Sequence, residues 1–183
     1  MTDSKLPDAQ SGGEKALNHA LVGNAGANLI YESAGMHASL LGFSLESLII
    51  DNDIIGATQR TIKGIEVSEE RLSFETIRDV CLNGPGHFLG SDQTLQLMQT
   101  EYLYPSVGDR RSPNDWMERG STDAATRAIA AVQEILSTHY PSHVSEAIDA
   151  EIRRRFPVRL ARKHMVRADS DSSPATGPRA ARA

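Results

Sequence analysis

The stretch NGPGHFLGSDQT, residues 83–94, sets a histidine among glycines just ahead of a helix start signal. Residues of these types can build three things. A glycine-rich loop before a helix can cradle a phosphate or another anion on free N–H groups. A histidine with further ligands close by can hold a metal ion. Glycine, proline and asparagine can also simply make a sharp turn. The pattern GxxxxGK followed by Ser or Thr is absent, which weakens the phosphate reading. No second His, Cys or paired carboxylate stands at ligand spacing from His87, and Asp92 is the one nearby candidate. No metal site is expected. Asn83, Gly84 and Gly86 suit positive φ values, and Pro85 stiffens the turn. Of the other histidines, His19 falls in a helix, at the surface or partly buried. His37 lies either near a pocket or in packing, between Met36 and Ala38. Cys81, beside Val80 and Leu82, reads as a buried, inert thiol.

The elements around these residues are mostly helical. Pro7 suits a first turn, with Asp8 and Glu14 near the positive end of the helix it opens. Gly12 and Gly13 weaken that helix early, and apolar spacing settles at Ala16, Leu17, Ala20 and Leu21, before Gly23 and Gly26 end it. The run ANLIYES, residues 27–33, is short, continuously apolar and flanked by glycines, as a buried parallel strand would be. A second short strand is expected near Phe74 or Phe88. Ser44 caps a long helix whose apolar stripe is Leu48, Ile55 and Ile62, widened by Leu45, Ile49 and Ile54, with Gly64 as its stop. Ser68 or Ser73 caps the next helix, and Ser91 or Asp92 the one after. Ser112 with Pro113 starts another. Ala125, Ile129, Val132 and Leu136 form the apolar face of a helix that Pro141 breaks, and residues 142–156 give a last one. One strand among so many helices is an odd balance, because a lone strand leaves its backbone groups unpaired. The chain reads as part of a larger α/β structure.

Composition narrows the function classes. A chain of 183 residues supports one domain with a real core and is too short for two comfortable ones. A net charge of −5 gives no general attraction for nucleic acid or an anionic membrane. The basic run from Arg153 to Arg167 has only Phe156 interleaved, so it reads as a solvated helix end. No apolar run reaches the roughly 18 residues of a membrane span, and the N-terminus has no signal-peptide core. A single cysteine suits a reducing compartment, so a cytoplasmic location is expected.

Five stretches together carry a family resemblance: TDSKLPDAQSGGEKAL, GANLIYESAGM, LESLIIDNDIIG, IKGIEV and GPGHFLGSDQTLQLMQTEYLYPSVGDRRSPNDW. In this order and spacing they resemble the C-terminal third of the trimethylamine methyltransferase family, corrinoid-dependent enzymes that demethylate methylamines and betaines. The likeness covers roughly residues 2–150, and the last stretch is its most specific part. The resemblance implies an α/β fold, the C-terminal part of a (β/α)8 TIM-type barrel. Residues 1–110 would be partial barrel, 111–156 a helical C-terminal extension, and 157–183 a basic, disordered tail. The chain would begin inside the barrel. The family's pyrrolysine position would lie upstream, leaving no catalytic residue to assign here.

The implied chemistry is methyl transfer from trimethylamine or a related tertiary or quaternary amine to a corrinoid carried by a partner protein, as in methanogenesis. No cofactor would be bound directly. Such a pocket should offer a cation a carboxylate or an aromatic face, and exclude water. In a barrel these groups sit at the C-terminal ends of strands. Tyr31 and Glu32 end the expected strand, so they are expected to bind substrate, unless Tyr31 packs and Glu32 is solvated or caps Gly35. Asp3 and Asp8 are expected at the same mouth, with Lys5 orienting a carboxylate if the substrate is a betaine. Alternatively Asp3 caps a helix and Lys5 pairs with Asp8. Gly84, Gly86 and His87 form the loop near the mouth, where His87 either contacts substrate or the corrinoid protein, or bonds to backbone and locks the turn. A homo-oligomer, or a complementing N-terminal chain that closes the barrel, follows from the same reading. The alternative is a non-catalytic remnant or a partner-binding subunit.

Overall fold

The computed structural model describes residues 1–141 and 143–166. These fall into two compact units, Met1–Ile129 and a second that begins at Ala130.

Helix α1, Ala9–Asn24, starts because the Asp8 carboxylate accepts the Ser11 N–H at 2.9 Å. Pro7 stands just outside it. The helix passes through Gly12 and Gly13 and gives way to a turn in which Gly26 has φ +87°. Strands β1, Met36–His37, and β2, Gly42–Phe43, pair antiparallel, Met36 with Phe43 and His37 with Gly42. Helix α2, Leu45–Lys63, is capped by Ser44, whose hydroxyl accepts the Ser47 N–H. Glu46 in its first turn and Arg60 and Lys63 in its last complement the helix dipole, and Gly64 at φ +69° stops it.

The two long helices pack on each other through polar faces. In α1 the buried residues are Ser11, Lys15, His19 and Gly23, one every four positions; in α2 they are Ser47, Asp51 and Thr58. The apolar stripes expected from spacing are only partly covered, with Ile49, Ile54 and Ile55 half-buried. Leu17 and Leu21 of α1 and Leu48 and Ile62 of α2 lie exposed. Among the described residues, Val107 and Ala128 are the only buried hydrophobic ones.

Four short helices follow: α3, Glu69–Leu72; α4, Phe74–Leu82; α5, Asp92–Thr100; and α6, Pro113–Glu118. Ser68 caps α3, Ser91 caps α5 and Ser112 caps α6, each hydroxyl accepting an N–H three residues on. Glu101, just past α5, gathers Arg60, Lys63 and Arg71, tying the end of α2 to α3. Helix α7, Ala124–Thr138, opens where Asp123 accepts the Thr126 N–H at 2.7 Å. In the second unit, α8, Glu146–Arg155, is capped by Ser145. Its basic end is matched by acids: Arg153 and Arg162 meet Asp149, and Arg154 and Arg155 meet Glu151. Of the basic stretch 157–183, residues through 166 are described, with a 3-10 turn at Arg162–His164. The expected disorder of 167–183 lies outside the described residues.

Three expectations need correction. Residues 27–33 form no strand: Leu29 is 88% exposed and Tyr31 84%, and Glu32 has φ 50°. A strand needs a neighbour to take its N–H and C=O groups, and the only sheet among the described residues is the β1–β2 pair. Phe74 begins α4 and Phe88 sits in a loop, so neither marks a strand. Cys81 is exposed rather than buried. The described residues are thus helix-rich with one small antiparallel pair. No parallel barrel sheet is seen among them.

Candidate functional site

A polar network ties the first residues of the chain to α1 and to the β1–β2 hairpin, and α1 to α2. Lys15 Nζ stands 2.6 Å from Asp51 Oδ2, with both side chains at most 2% exposed, and the same oxygen accepts the Gly35 N–H at 2.7 Å. A charge this deeply buried persists only when paired and hydrogen-bonded, as here. His37 is also buried. Its Nδ1 lies 3.2 Å from the Ser4 carbonyl, which can only accept, so Nδ1 carries the proton. Nε2 lies 2.5 Å from Ser47 Oγ, completing a buried hydrogen bond between the ring and the serine hydroxyl. Glu14 Oε2 accepts the Thr2 hydroxyl at 2.6 Å and the Asp3 N–H at 2.9 Å. The Thr2 hydroxyl, chiefly, holds the Glu14 carboxyl below its ordinary pKa. Ser39 Oγ donates to Asp3 Oδ1 at 2.5 Å.

A cavity of about 450 Å³ opens beside this network, between α1 and the 30–33 turn. Its volume lies in the range of about 300–1,000 Å³ usual for small-molecule sites. Met1, Val22, Ile30 and Leu40 give it aliphatic walls, and Asn18, His19, Tyr31, Glu32 and Ser33 its polar groups. His19 is buried, and neither ring nitrogen has a hydrogen-bond partner among the described residues. Burial lowers its pKa from 6.5, so the imidazole is neutral near pH 7. The backbone of Ser33 pulls the other way without reaching hydrogen-bonding geometry with the ring. The backbone at this mouth is unusual. Glu32, Ala38, Ser39 and Leu40 all have positive φ, at 50°, 48°, 55° and 74°. Such conformations are costly for residues other than glycine and cluster at functional sites.

The residues singled out in the sequence divide between two places. Tyr31 and Glu32 line the cavity. Asp3 and Lys5 do not line it: Asp3 accepts the hydroxyl of Ser39, the neighbour of the lining residue Leu40, and Lys5 Nζ donates to the Asp3 carbonyl at 2.8 Å rather than to Asp8. Gly84, Gly86 and His87 line none of these walls. All three are exposed, in a turn held by backbone bonds from Asn83 N to Asp79 O and from Gly86 N to Val80 O. Gly84 suits the close approach there, because a Cβ would stand 3.0 Å from Val80 Cα and 3.1 Å from its carbonyl oxygen and would press on backbone. The turn is locked by main chain, with the His87 ring exposed. Among the described residues no group of three His, Cys, Asp or Glu is placed to hold a metal ion.

The sequence reading missed the Lys15–Asp51 pair, the His37–Ser47 pair and Asp53. Asp53 accepts the N–H groups of Ser106, Val107 and Gly108 and the Ser106 hydroxyl, at 2.7 to 2.9 Å, so it shapes the 105–108 loop from α2. One signal was available: Ser11, Lys15, His19 and Gly23 recur every four residues, as a packed helix ridge does.

A helical chain with a small-molecule cavity defines no reaction class by itself; comparison with known proteins does. Residues 1–164 match the family model described as trimethylamine methyltransferase (MTTB). The chain is 42% identical over 154 residues to the trimethylamine methyltransferase MttB of Methanosarcina thermophila, covering 82% of this chain and 30% of that protein. It is 34% identical over 151 residues to the MttB of Desulfitobacterium hafniense, with 82% and 30% covered. It is 30% identical over 153 residues to a glycine betaine methyltransferase from the same species, with 83% and 31% covered. The chain belongs to the trimethylamine methyltransferase family. It spans about 30% of the length of the curated relatives it matches, in their C-terminal part.

Proposed function

We propose that this chain supplies the C-terminal part of a corrinoid-dependent methyltransferase acting on trimethylamine or a related tertiary or quaternary amine. The supporting observation is that Tyr31 and Glu32, expected at substrate as the end of a strand that does not form, line one cavity with aliphatic walls. Val22, Ile30 and Leu40 suit the methyl groups of the head group. The Glu32 carboxylate balances its charge, and the Tyr31 ring offers a second attraction. Asp3 and Lys5 lie outside the lining, and Lys5 would have to leave the Asp3 carbonyl to meet a substrate carboxylate. The Gly84–His87 turn lies outside the pocket and is free to meet a partner.

A corrinoid carried by a partner protein would supply the reduced-cobalt nucleophile. The substrate nitrogen would have to be cationic, protonated or quaternary, so that the amine departs neutral with the bonding electron pair while its methyl passes to that nucleophile. The chain's part is to orient that bond and to keep water from the reacting centre. A (β/α)8 barrel completed by further sequence or by a complementing chain, in the cytoplasm, is the setting we infer. A second reading, a partner-binding subunit without catalysis of its own, is favoured by the exposed Leu29, Leu41 and Ile65, each at least 88% exposed.

The test is dimethylamine production from trimethylamine with a reduced corrinoid protein, with and without a chain spanning the N-terminal part of a relative. Product in the complemented mixture supports the enzyme, and Glu32→Gln should raise the half-saturating amine concentration roughly threefold, as loss of a partly exposed ion pair does. Dimethylamine in neither mixture, while the two chains co-purify, would favour the partner-binding subunit.

A further inference from the structure

The hairpin that closes on the cavity is built under strain. The His37–Gly42 pair joins β1 to β2 across four residues, 38–41, and three of these in succession are left-handed without being glycine. Each such residue brings its Cβ too close to its own backbone, and runs of them are not formed without restraint. The restraint comes from the first residues of the chain. Ala38 N–H donates to the Ser4 carbonyl at 3.0 Å and Ser39 N–H to the Thr2 carbonyl at 3.2 Å. The Ser39 hydroxyl donates to the Asp3 carboxylate at 2.5 Å. The segment so held carries Leu40, which forms part of the cavity wall, and Leu41, which is 91% exposed.

We infer that residues 38–41 are a strained lid over the Tyr31–Glu32 cavity, latched in the observed position by the Asp3–Ser39 hydrogen bond. The strain makes the closed position the tense one. Loss of the latch lets Ala38–Leu40 return to right-handed or extended backbone and withdraws Leu40 from the cavity wall. Opening widens the way into a pocket whose other walls come from Met1, α1 and the 30–33 turn. That the molecule is a methylated amine rests on the function proposed above; the lid itself does not.

Amide hydrogen exchange on the full chain reads the lid directly, without a ligand, because the Ala38 and Ser39 N–H groups are the bonds that break. Asp3→Ala and Ser39→Ala remove the latch from its two sides. Each should speed exchange at Ala38 and Ser39 roughly three- to tenfold, the factor one lost hydrogen bond produces. The amides of Lys15, His19 and Asp51 should keep their rates. Ala38→Gly relieves one left-handed position and should slow exchange at Ser39. The inference is overturned if both latch variants leave Ala38 and Ser39 unchanged. It also fails if α1 and α2 accelerate by the same factor, which would mean the whole unit opens, or if Ala38→Gly speeds exchange. None of these results bears on methyl transfer, so the lid and the enzyme can fail separately.

Discussion

Residues 2–58 and residues 74–100 treat their polar groups in opposite ways. In the first stretch Thr2, Ser4, Lys15, His37, Ser47 and Asp51 are buried, and their bonds join positions as far apart as Lys15 and Asp51. In the second not one residue is buried, and its side-chain bonds stay within a turn or so, apart from Gln93 reaching the Glu70 carbonyl. The second contains the glycine-histidine turn, the most conspicuous stretch of the sequence. Conspicuous composition there reflects local backbone need, a close approach at Gly84 and a positive φ at Gly86. The inconspicuous stretch builds the long-range network and the cavity. A polar residue on a helix attracts little notice in sequence, yet burying it commits the fold to a partner.

The largest effect expected from this contrast is at the buried ion pair. Asp51→Ala leaves Lys15 charged without a partner and frees the Gly35 N–H, and should cost about 3–5 kcal/mol in denaturant unfolding. Replacing both, Lys15→Met with Asp51→Leu, should cost clearly less than the single change. If the double variant is the worse of the two, the pair is not acting as a pair.

Asp53 offers an intermediate case. Burial pushes its carboxyl pKa up, but the Ser106, Val107 and Gly108 N–H groups and the Ser106 hydroxyl outweigh that and leave it below the ordinary 3.8. A carboxyl depressed in the folded state contributes stability above its unfolded pKa and loses it as pH falls through the lower folded value. Stability should therefore drop as acid is added below about pH 4, with Asp53→Asn flattening part of that slope. At neutral pH Asp53→Ala should cost about 2–3 kcal/mol, the scale of hydrogen bonds to a charged group. An unchanged acid slope in Asp53→Asn would show that the 105–108 loop is held by something else.

The smallest effect belongs to the turn at 83–90. His87→Ala should change stability by less than about 0.5 kcal/mol, as exposed side chains do. A loss several times larger would mean that the ring is engaged and that the two stretches are more alike than they look.

Helix ends were the most legible part of the fold, because a cap is a local bond between neighbours in sequence. Ser44, Ser91 and Ser112 cap as their spacing predicts, and Gly64 stops α2. The strand at 27–33 was not legible as it stands, since a strand is a relation between segments and an apolar run specifies only one of them. Helix faces failed for a related reason. Apolar periodicity assumes that the apolar side is buried, whereas α1 and α2 meet through Ser11, Lys15, His19, Ser47 and Asp51. At the site, Tyr31 and Glu32 were picked out as the end of a strand that does not form, and they line a cavity for a different reason, the turn that replaces it. The Asp3–Ser39 contact spans 36 positions and carries no sequence signature.

The scarcity of buried hydrocarbon has a thermal consequence. Heat capacity rises on unfolding mainly because apolar surface becomes hydrated, while newly hydrated polar surface lowers it. Here Val107 and Ala128 are the buried hydrophobic residues among those described, set against nine polar or charged ones. The heat-capacity increment should therefore fall below the ordinary ~12–15 cal/mol/K per residue. The stability curve then becomes a shallow arch rather than a sharp dome, and warming weakens this chain gradually.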